Sequence, residues 1–224
     1  MSRDAAAFFD AIAGRYERAY ALAPVASRAR MERIVRVLPA APARVLDLGV
    51  GTGRELTALL DAGYAPTGLD ASRAMLDRCA RRARPVPLVQ ADFWAPPLPF
   101  ADAEFDAIVA LHGTLAHPPD EGAMARLARE LARVTRPGAV FAAEVPAPAW
   151  LDRLDAPAAT DAQADRRARR TGPRTCVYED LVTGASIEAT LLDEGGWRAA
   201  LGPDWHLDIE TIDELELLVI ARLI

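Results

Sequence analysis

Asp47-Leu48-Gly49-Val50-Gly51-Thr52-Gly53 places a carboxylate two residues ahead of three alternating glycines, a spacing suited to holding a nucleotide-like ligand. An apolar run from position 45 leads in and an amphipathic segment leads out. That is the order of a buried strand, a tight turn and the first turn of a helix. The glycines permit positive φ and let a ligand lie against bare main chain. The helix start behind them offers unpaired N–H groups and the positive end of a dipole, suited to a carboxylate or phosphate. The dinucleotide fingerprint G-x-G-x-x-G needs its third glycine at position 54, where this chain has Arg54. Asp47 would repel a pyrophosphate and attract a cationic amino group. Two more acids, Asp70 and Asp92, end the next two apolar runs. A carboxylate at the end of the second strand, where Asp70 stands, can accept both hydroxyls of a ribose. His112 and His117 follow the fourth apolar run, and histidine is the side chain whose ordinary pKa suits proton transfer near neutrality.

The elements that must carry these residues alternate in type. Phe8, Ile12, Tyr16 and Tyr20, at intervals of four, predict one helix over 4–22, and Pro24 opens a second through Leu38. Strands are expected at 45–48, 65–69, 86–90, 105–111 and 139–145, with helices at 54–62, after Ser72 and after Asp120. The last of these helices carries Met124, Leu127, Ala128, Leu131 and Val134 on one face. Strands that alternate with helices imply a parallel, doubly wound sheet with its ligand at the carboxyl ends of the strands. Residues 146–174 break the rhythm, being rich in Ala, Pro and Arg, and 175–192 read as a hairpin turning at Thr183-Gly184. After a short helix around Trp197–Leu201, the runs 205–212 and 215–223 stand so close that they must pair antiparallel.

The run 45–55, Asp70, Asp92-Phe93 and 105–117 fall in an order that, with the closing hairpin, resembles the class I, Rossmann-like S-adenosylmethionine-dependent methyltransferases of the small-molecule type. The resemblance implies an α/β fold: a doubly wound, seven-stranded, mostly parallel sheet with a C-terminal antiparallel hairpin, N-terminal helices and an inserted cap. It divides the single domain into a helical lid (1–40), a cofactor-binding core (41–145), a cap (146–192) and a closing helix and hairpin (193–224). It implies S-adenosyl-L-methionine as cofactor and S-adenosyl-L-homocysteine as product. Asp47 would take the amino group of the methionine moiety, with Gly49, Val50, Gly51 and Gly53 forming the turn beneath it. Asp70 and Ala71 would meet the ribose. Asp92 and Phe93 would read the adenine edge, and Met75 and Leu111 would sandwich the ring. Tyr16 and Tyr20 would close over the methionine end. His112 is the first candidate base for the acceptor and His117 the second, while His206, in the sixth strand, reads as structural. Arg54 either pairs with the cofactor carboxylate or is a solvated helix-start arginine.

The acceptor side is narrowed by what is missing. Enzymes of this type that methylate exocyclic nitrogens of bases carry Asn/Asp-Pro-Pro-aromatic after the fourth strand, whereas this chain has Leu111-His112-Gly113-Thr114. Ala95-Pro96-Pro97-Leu98 follows the third strand instead, and no Pro-Cys nucleophile occurs. A net charge of −6 argues against a broad nucleic-acid footprint, which leaves a small-molecule acceptor. The 224 residues suit one domain, expected as a monomer or homodimer. No apolar run is long enough to span a bilayer, and Met1-Ser2-Arg3-Asp4-Ala5 lacks a secretory pattern, so no membrane and a cytoplasmic location are expected. Cys79 and Cys176 stand alone, with no metal-ligand pairing. Arg81-Arg82-Ala83-Arg84 and Arg166-Arg167-Ala168-Arg169-Arg170 read as solvated helix faces, although the second run could greet an acidic substrate. Two competing readings are a catalytically silent module that binds the same cofactor and a nicotinamide-dependent oxidoreductase. Arg54 and the closing hairpin count against the latter.

Overall fold

The computed structural model describes residues 4–20, 24–82, 84–154 and 165–224. Residues 1–3 and 21–23 of the expected lid, Ala83 of the first arginine run and 155–164 of the expected cap lie outside the described residues.

Strands β1 (Arg44–Leu48), β2 (Ala65–Asp70), β3 (Leu88–Gln90), β4 (Phe105–Ala110), β5 (Thr135–Pro146), β9 (Trp205–Thr211) and β10 (Glu216–Leu223) make one seven-stranded sheet in the order β3-β2-β1-β4-β5-β10-β9. The first five pair in parallel, and β10 runs antiparallel to both β5 and β9. Helices cover both faces, which explains why the central strands are apolar without alternation. On one face Leu46, Leu48, Ile108 and Phe141 meet Met124, Leu127 and Leu131 of α6 (Ala123–Val134) and Trp197 of α8 (Glu194–Leu201). On the other, Val45, Val109 and Ala142 meet Met31 and Ile34 of α3 (Pro24–Val37) and Leu59 of α4 (Leu56–Asp61). The expected stripe of α6 is the buried one.

Two expectations are corrected. The stripe Phe8-Ile12-Tyr16-Tyr20 is not one helix: α1 (Ala5–Ile12), capped by Asp4, stops, and α2 (Tyr16–Ala19) starts afresh. Phe8 and Ile12 pack on Met75 of α5 (Arg73–Arg82), and beyond the break Tyr16 and Tyr20 stack on each other at the edge of the same cluster. The run 166–170 is a strand, not a helix face. As β6 (Arg166–Arg170) it pairs with β7 (Thr175–Asp180), and β7 pairs with β8 (Ser186–Thr190), giving a second, three-stranded antiparallel sheet. The hairpin turning at Thr183-Gly184 is present as β7 and β8, with Gly184 at φ 71°. The short helix α7 (Ala149–Leu154) leads toward this sheet and packs on it through Leu151.

Among the described residues no helix is long and apolar enough to cross a membrane, and no cluster of three His, Cys, Asp or Glu side chains is placed to hold a metal ion.

Candidate active site

The carboxyl ends of β1, β2, β4 and β5 meet around the glycine turn. Gly49, Gly51 and Gly53 all have positive φ (72°, 54° and 74°), the left-handed region where a side chain is strained. They are not equivalent. A Cβ on Gly49 would lie 2.4 Å from the Thr114 methyl, so this turn is packed against the loop after β4. A Cβ on Gly51 would meet nothing closer than 3.9 Å, leaving its main chain open to a ligand. Gly53 serves packing: a Cβ there would sit 2.5 Å from Cys79 Sγ on α5. Gly53→Ala is therefore expected to cost about 2–4 kcal/mol from overpacking plus backbone strain. Urea melts should show that Cys79→Ala in the same chain restores part of it.

Asp70 holds the turn. Its Oδ2 accepts from the Gly51 N–H and its Oδ1 from the Ser72 N–H, both at 2.8 Å. An ionised carboxylate has about four acceptor sites, so two remain for ligand hydroxyls. Asp47 is buried at the end of β1, and its Oδ2 has no hydrogen-bond partner. Burial, with Glu55 and Asp70 nearby, holds the Asp47 carboxyl well above the usual carboxylate range. An orphaned buried acid facing a cavity is the observation expected of a site for a cationic group. Burial also raises Asp70 and Glu144, the latter against the pull of Arg30 and His112.

These raised acids fix a pH trend. Each binds its proton more tightly folded than unfolded, so the stability each lends is present at low pH and lost as pH rises from about 4 through its folded value. The Glu17 carboxyl runs the other way. Burial pushes it up, yet hydrogen bonds from Thr52, Arg82 and Arg54 bring it down to about 2, and its contribution is complete above about pH 5. Through these raised acids the unfolding free energy of the ligand-free protein is expected to fall as pH rises above about 5, while His117, whose pKa is lowered, adds an opposing rise that is complete above its ordinary value of about 6.5. Asp47→Asn should flatten that slope in urea titrations.

The loop after β4 is the other wall. His112 adopts φ 55° and Gly113 73°, a turn braced by Gly113 N–H donating to the Glu144 carbonyl at 3.1 Å. The Thr114 hydroxyl donates to the Leu111 carbonyl at 2.9 Å. This geometry sets His112 Nε2 2.6 Å from Glu55 Oε1. His112, Glu55, Asp47, Tyr16, Leu111 and Thr114 line one cavity with the turn 49–52 and Arg54.

The lid lies directly on this site. Asp10 of α1 accepts from the Ser72 hydroxyl and from the Ala74 N–H (3.0 Å) at the start of α5. Glu17 of α2 accepts from the Thr52 hydroxyl, from Arg54 Nε at 3.2 Å and from Arg82 at 2.7 Å. Arg15 pairs with Asp180 of β7 and with Asp165, tying the lid to the second sheet. Tyr16 and Tyr20 stack with centroids 4.8 Å apart, Arg54 lies over Tyr16 and Arg166 over Tyr20. The closed lid leaves a cavity of about 30 Å³, room for a water or two. Ligand pockets run to roughly 300–1,000 Å³, so this cavity as it stands is smaller than a nucleoside-sized ligand needs.

Of the expected site residues, Asp47, Gly49, Val50, Gly51, Leu111, His112 and Tyr16 line the cavity. Asp70 adjoins it through the Gly51 N–H, and Tyr20 through Tyr16. Gly53 is turned to α5. Met75 is buried under α1 with Phe8 and Ile12. Ala71 uses its carbonyl to accept from Gln90 Nε2 at 3.3 Å. Asp92 is exposed and accepts from the Trp94 N–H at 2.9 Å, while Phe93 packs into the core beside Trp94. His117 stands apart: it is half-buried, Nδ1–H donates to the Glu188 carbonyl at 2.8 Å, and loss of solvent lowers its pKa. His206 is exposed on β9. Arg54 is not the solvated helix-start arginine: its side chain is 9% exposed, lines the cavity, pairs with Glu17 and donates to the Tyr20 carbonyl. Sequence reasoning missed Glu17, Glu55 and Thr114. Glu55 directly follows the glycine run, but nothing in its spacing points to His112.

Comparison with known proteins agrees with this geometry. Residues 45–138 match the family described as a methyltransferase domain. A demethylmenaquinone methyltransferase from Beutenbergia cavernae is 37% identical over 154 residues, 66% of this chain and 60% of the relative. A trans-aconitate 2-methyltransferase from Acidovorax sp. is 32% identical over 181 residues, 79% of this chain and 62% of the relative. The chain thus spans about three fifths of the length of these curated relatives. The crystal structure of an S-adenosylmethionine-dependent methyltransferase from Methanosarcina mazei superposes with a TM-score of 0.67, covering 91% of this chain and 98% of the other at 20% identity.

Proposed function

We propose, from the premise that residues 45–138 are a class I S-adenosylmethionine-dependent methyltransferase domain, that the chain methylates a small molecule at oxygen or nitrogen. The observation that carries this reading is the partnerless, buried Asp47 oxygen at the edge of a cavity floored by the open main chain of Gly51.

Asp47 holds the amino group of the methionine moiety, Asp70 the ribose hydroxyls, and the Gly49-Val50-Gly51 main chain lies beneath. Asp92, Phe93, Ala71, Met75 and Leu111 frame the adenine once the lid has lifted. The bound cofactor supplies a methyl group already activated on a sulfonium, which an in-line nucleophile displaces. The protein's task is then positioning and exclusion of water. Tyr16 and Tyr20 close the methionine end, and His112 takes the proton that an acceptor hydroxyl or amine must lose. His117 is the second candidate base, held neutral by burial.

The lid (1–40) and the cap (146–192) supply the acceptor pocket, the core (41–145) the donor site, and 193–224 close the sheet. The two relatives are named for small-molecule acceptors, which supports that class here. The acidic net charge supports an acceptor other than nucleic acid and, with no long apolar run, a cytoplasmic monomer or homodimer away from membranes.

Calorimetry with S-adenosylhomocysteine, followed by mass-spectrometric turnover on a panel of small hydroxylated, amine and carboxylate acceptors, tests the reading. The expected result is binding and a mass gain of one methyl group on at least one acceptor. Absence of binding, with NADH fluorescence showing a complex instead, overturns it.

A further inference from the structure

Glu55 precedes α4 and His112 lies in the loop after β4, yet the two side chains meet at 2.6 Å and are 7% and 19% exposed. A carboxylate in such a contact accepts, so the shared hydrogen belongs to Nε2 and Nδ1 keeps its lone pair. The backbone is bent to achieve this. His112 occupies the left-handed region at φ 55°, uncommon for a residue with a side chain, and the strain is held by the bonds of Gly113 and Thr114. Other charged or titratable groups around the pair are Asp47 from β1, Tyr16 from α2, Arg54 on the turn, and Glu144 from β5 with its partner Arg30.

We infer that Glu55 is the positioning residue for His112: it takes the Nε2 hydrogen, fixes the tautomer, and leaves Nδ1 as the atom that receives the acceptor's proton. This rests on the methyl-transfer reading above. The acceptor's O–H or N–H bond breaks and its proton goes to Nδ1. Its freed electron pair bonds the methyl carbon as the carbon–sulfur pair returns to sulfur. The imidazolium so formed faces the Glu55 carboxylate, an arrangement that favours the charged product of the proton transfer.

Nitrogen-15 NMR on protein labelled at its three histidines tests the assignment, with His112→Gln identifying the signal. A slowly exchanging, deshielded Nε2–H cross-peak from His112 is expected in the full chain, kept in Glu55→Gln and lost in Glu55→Ala. On an acceptor that turns over, Glu55→Ala should lower kcat by about tenfold or more, partly restored in Glu55→Gln, with S-adenosylhomocysteine affinity changed by less than about threefold. A proton on Nδ1, a cross-peak indifferent to Glu55→Ala, or an affinity that collapses together with kcat overturns the inference; the last would make Glu55 a cofactor ligand. If wild-type protein binds no S-adenosylhomocysteine, the methyl-transfer reading fails separately, while the cross-peak still reports on the pair.

Discussion

Asp70→Ala weakens S-adenosylhomocysteine binding by about 100-fold or more, because this one side chain serves the ligand and the turn that cradles it. Its two oxygens accept from Gly51 and Ser72 at 2.8 Å, so it ties the glycine turn to the start of α5. In the proposed reading its remaining lone pairs serve the ribose. Two charge-assisted hydrogen bonds of about 1.5 kcal/mol each would account for about 100-fold, and loosening of Gly51 adds to it. Asp70→Asn keeps the shape and one acceptor and should fall between. Calorimetry gives the affinities, and urea melts of the same variants separate lost binding from lost folding. A dissociation constant within about threefold of wild type in Asp70→Ala would falsify the ribose role.

The second large effect lies on the other side of β4. Arg30 of α3 pairs with Glu144 of β5, with the two side chains 8% and 2% exposed, and reaches Glu216 at 3.5 Å. Removing one member of a buried pair leaves an uncompensated charge, so Arg30→Ala is expected to cost about 3–5 kcal/mol. Burial already raises the Glu144 pKa and Arg30 opposes that rise, so the variant's carboxyl will hold its proton to still higher pH. The sign follows: the deficit is smallest where Glu144 is protonated in both proteins and grows as pH rises. Adding Glu144→Gln to Arg30→Ala should recover part of the loss at about pH 8 and little at about pH 5, as read from paired denaturation curves. A deficit that is flat with pH would show that Arg30 acts by packing alone.

The donor half of the site is written in short-range signals. Glycines that need positive φ, acids at the ends of apolar runs and the stripe of α6 each depend on neighbours a few residues away, and all appear in the structure. The rest depends on what tertiary packing brings together. The four-residue spacing of Phe8, Ile12, Tyr16 and Tyr20 is helical locally, but the chain breaks after Ile12, so that Tyr16 and Tyr20 pack at the edge of the Phe8-Ile12-Met75 cluster and Tyr16 also lines the cavity. The arginines of 166–170 have no strand propensity to announce β6. Their backbone is recruited by β7, and their side chains find partners such as Tyr20 only after folding. Arg54 reads equally as a solvated helix-start arginine because its partner Glu17 lies 37 positions earlier, beyond any local pattern. His112 and Glu55 are 57 positions apart, and their meeting is a product of sheet order rather than of any motif.

One side chain deserves a kinetic reading. Arg15 is fastened to Asp180 and Asp165 on the three-stranded sheet, while the next two residues, Tyr16 and Glu17, reach the cavity and the glycine turn. In the proposed reading the door of the donor site and the floor of the acceptor side are thus one piece. A door that lifts for the cofactor disturbs the acceptor's seat, and the seat is rebuilt only on closing. Turnover should therefore follow a compulsory order, donor in first and demethylated donor out last, and product-inhibition patterns should show S-adenosylhomocysteine competing with S-adenosylmethionine but not with the acceptor.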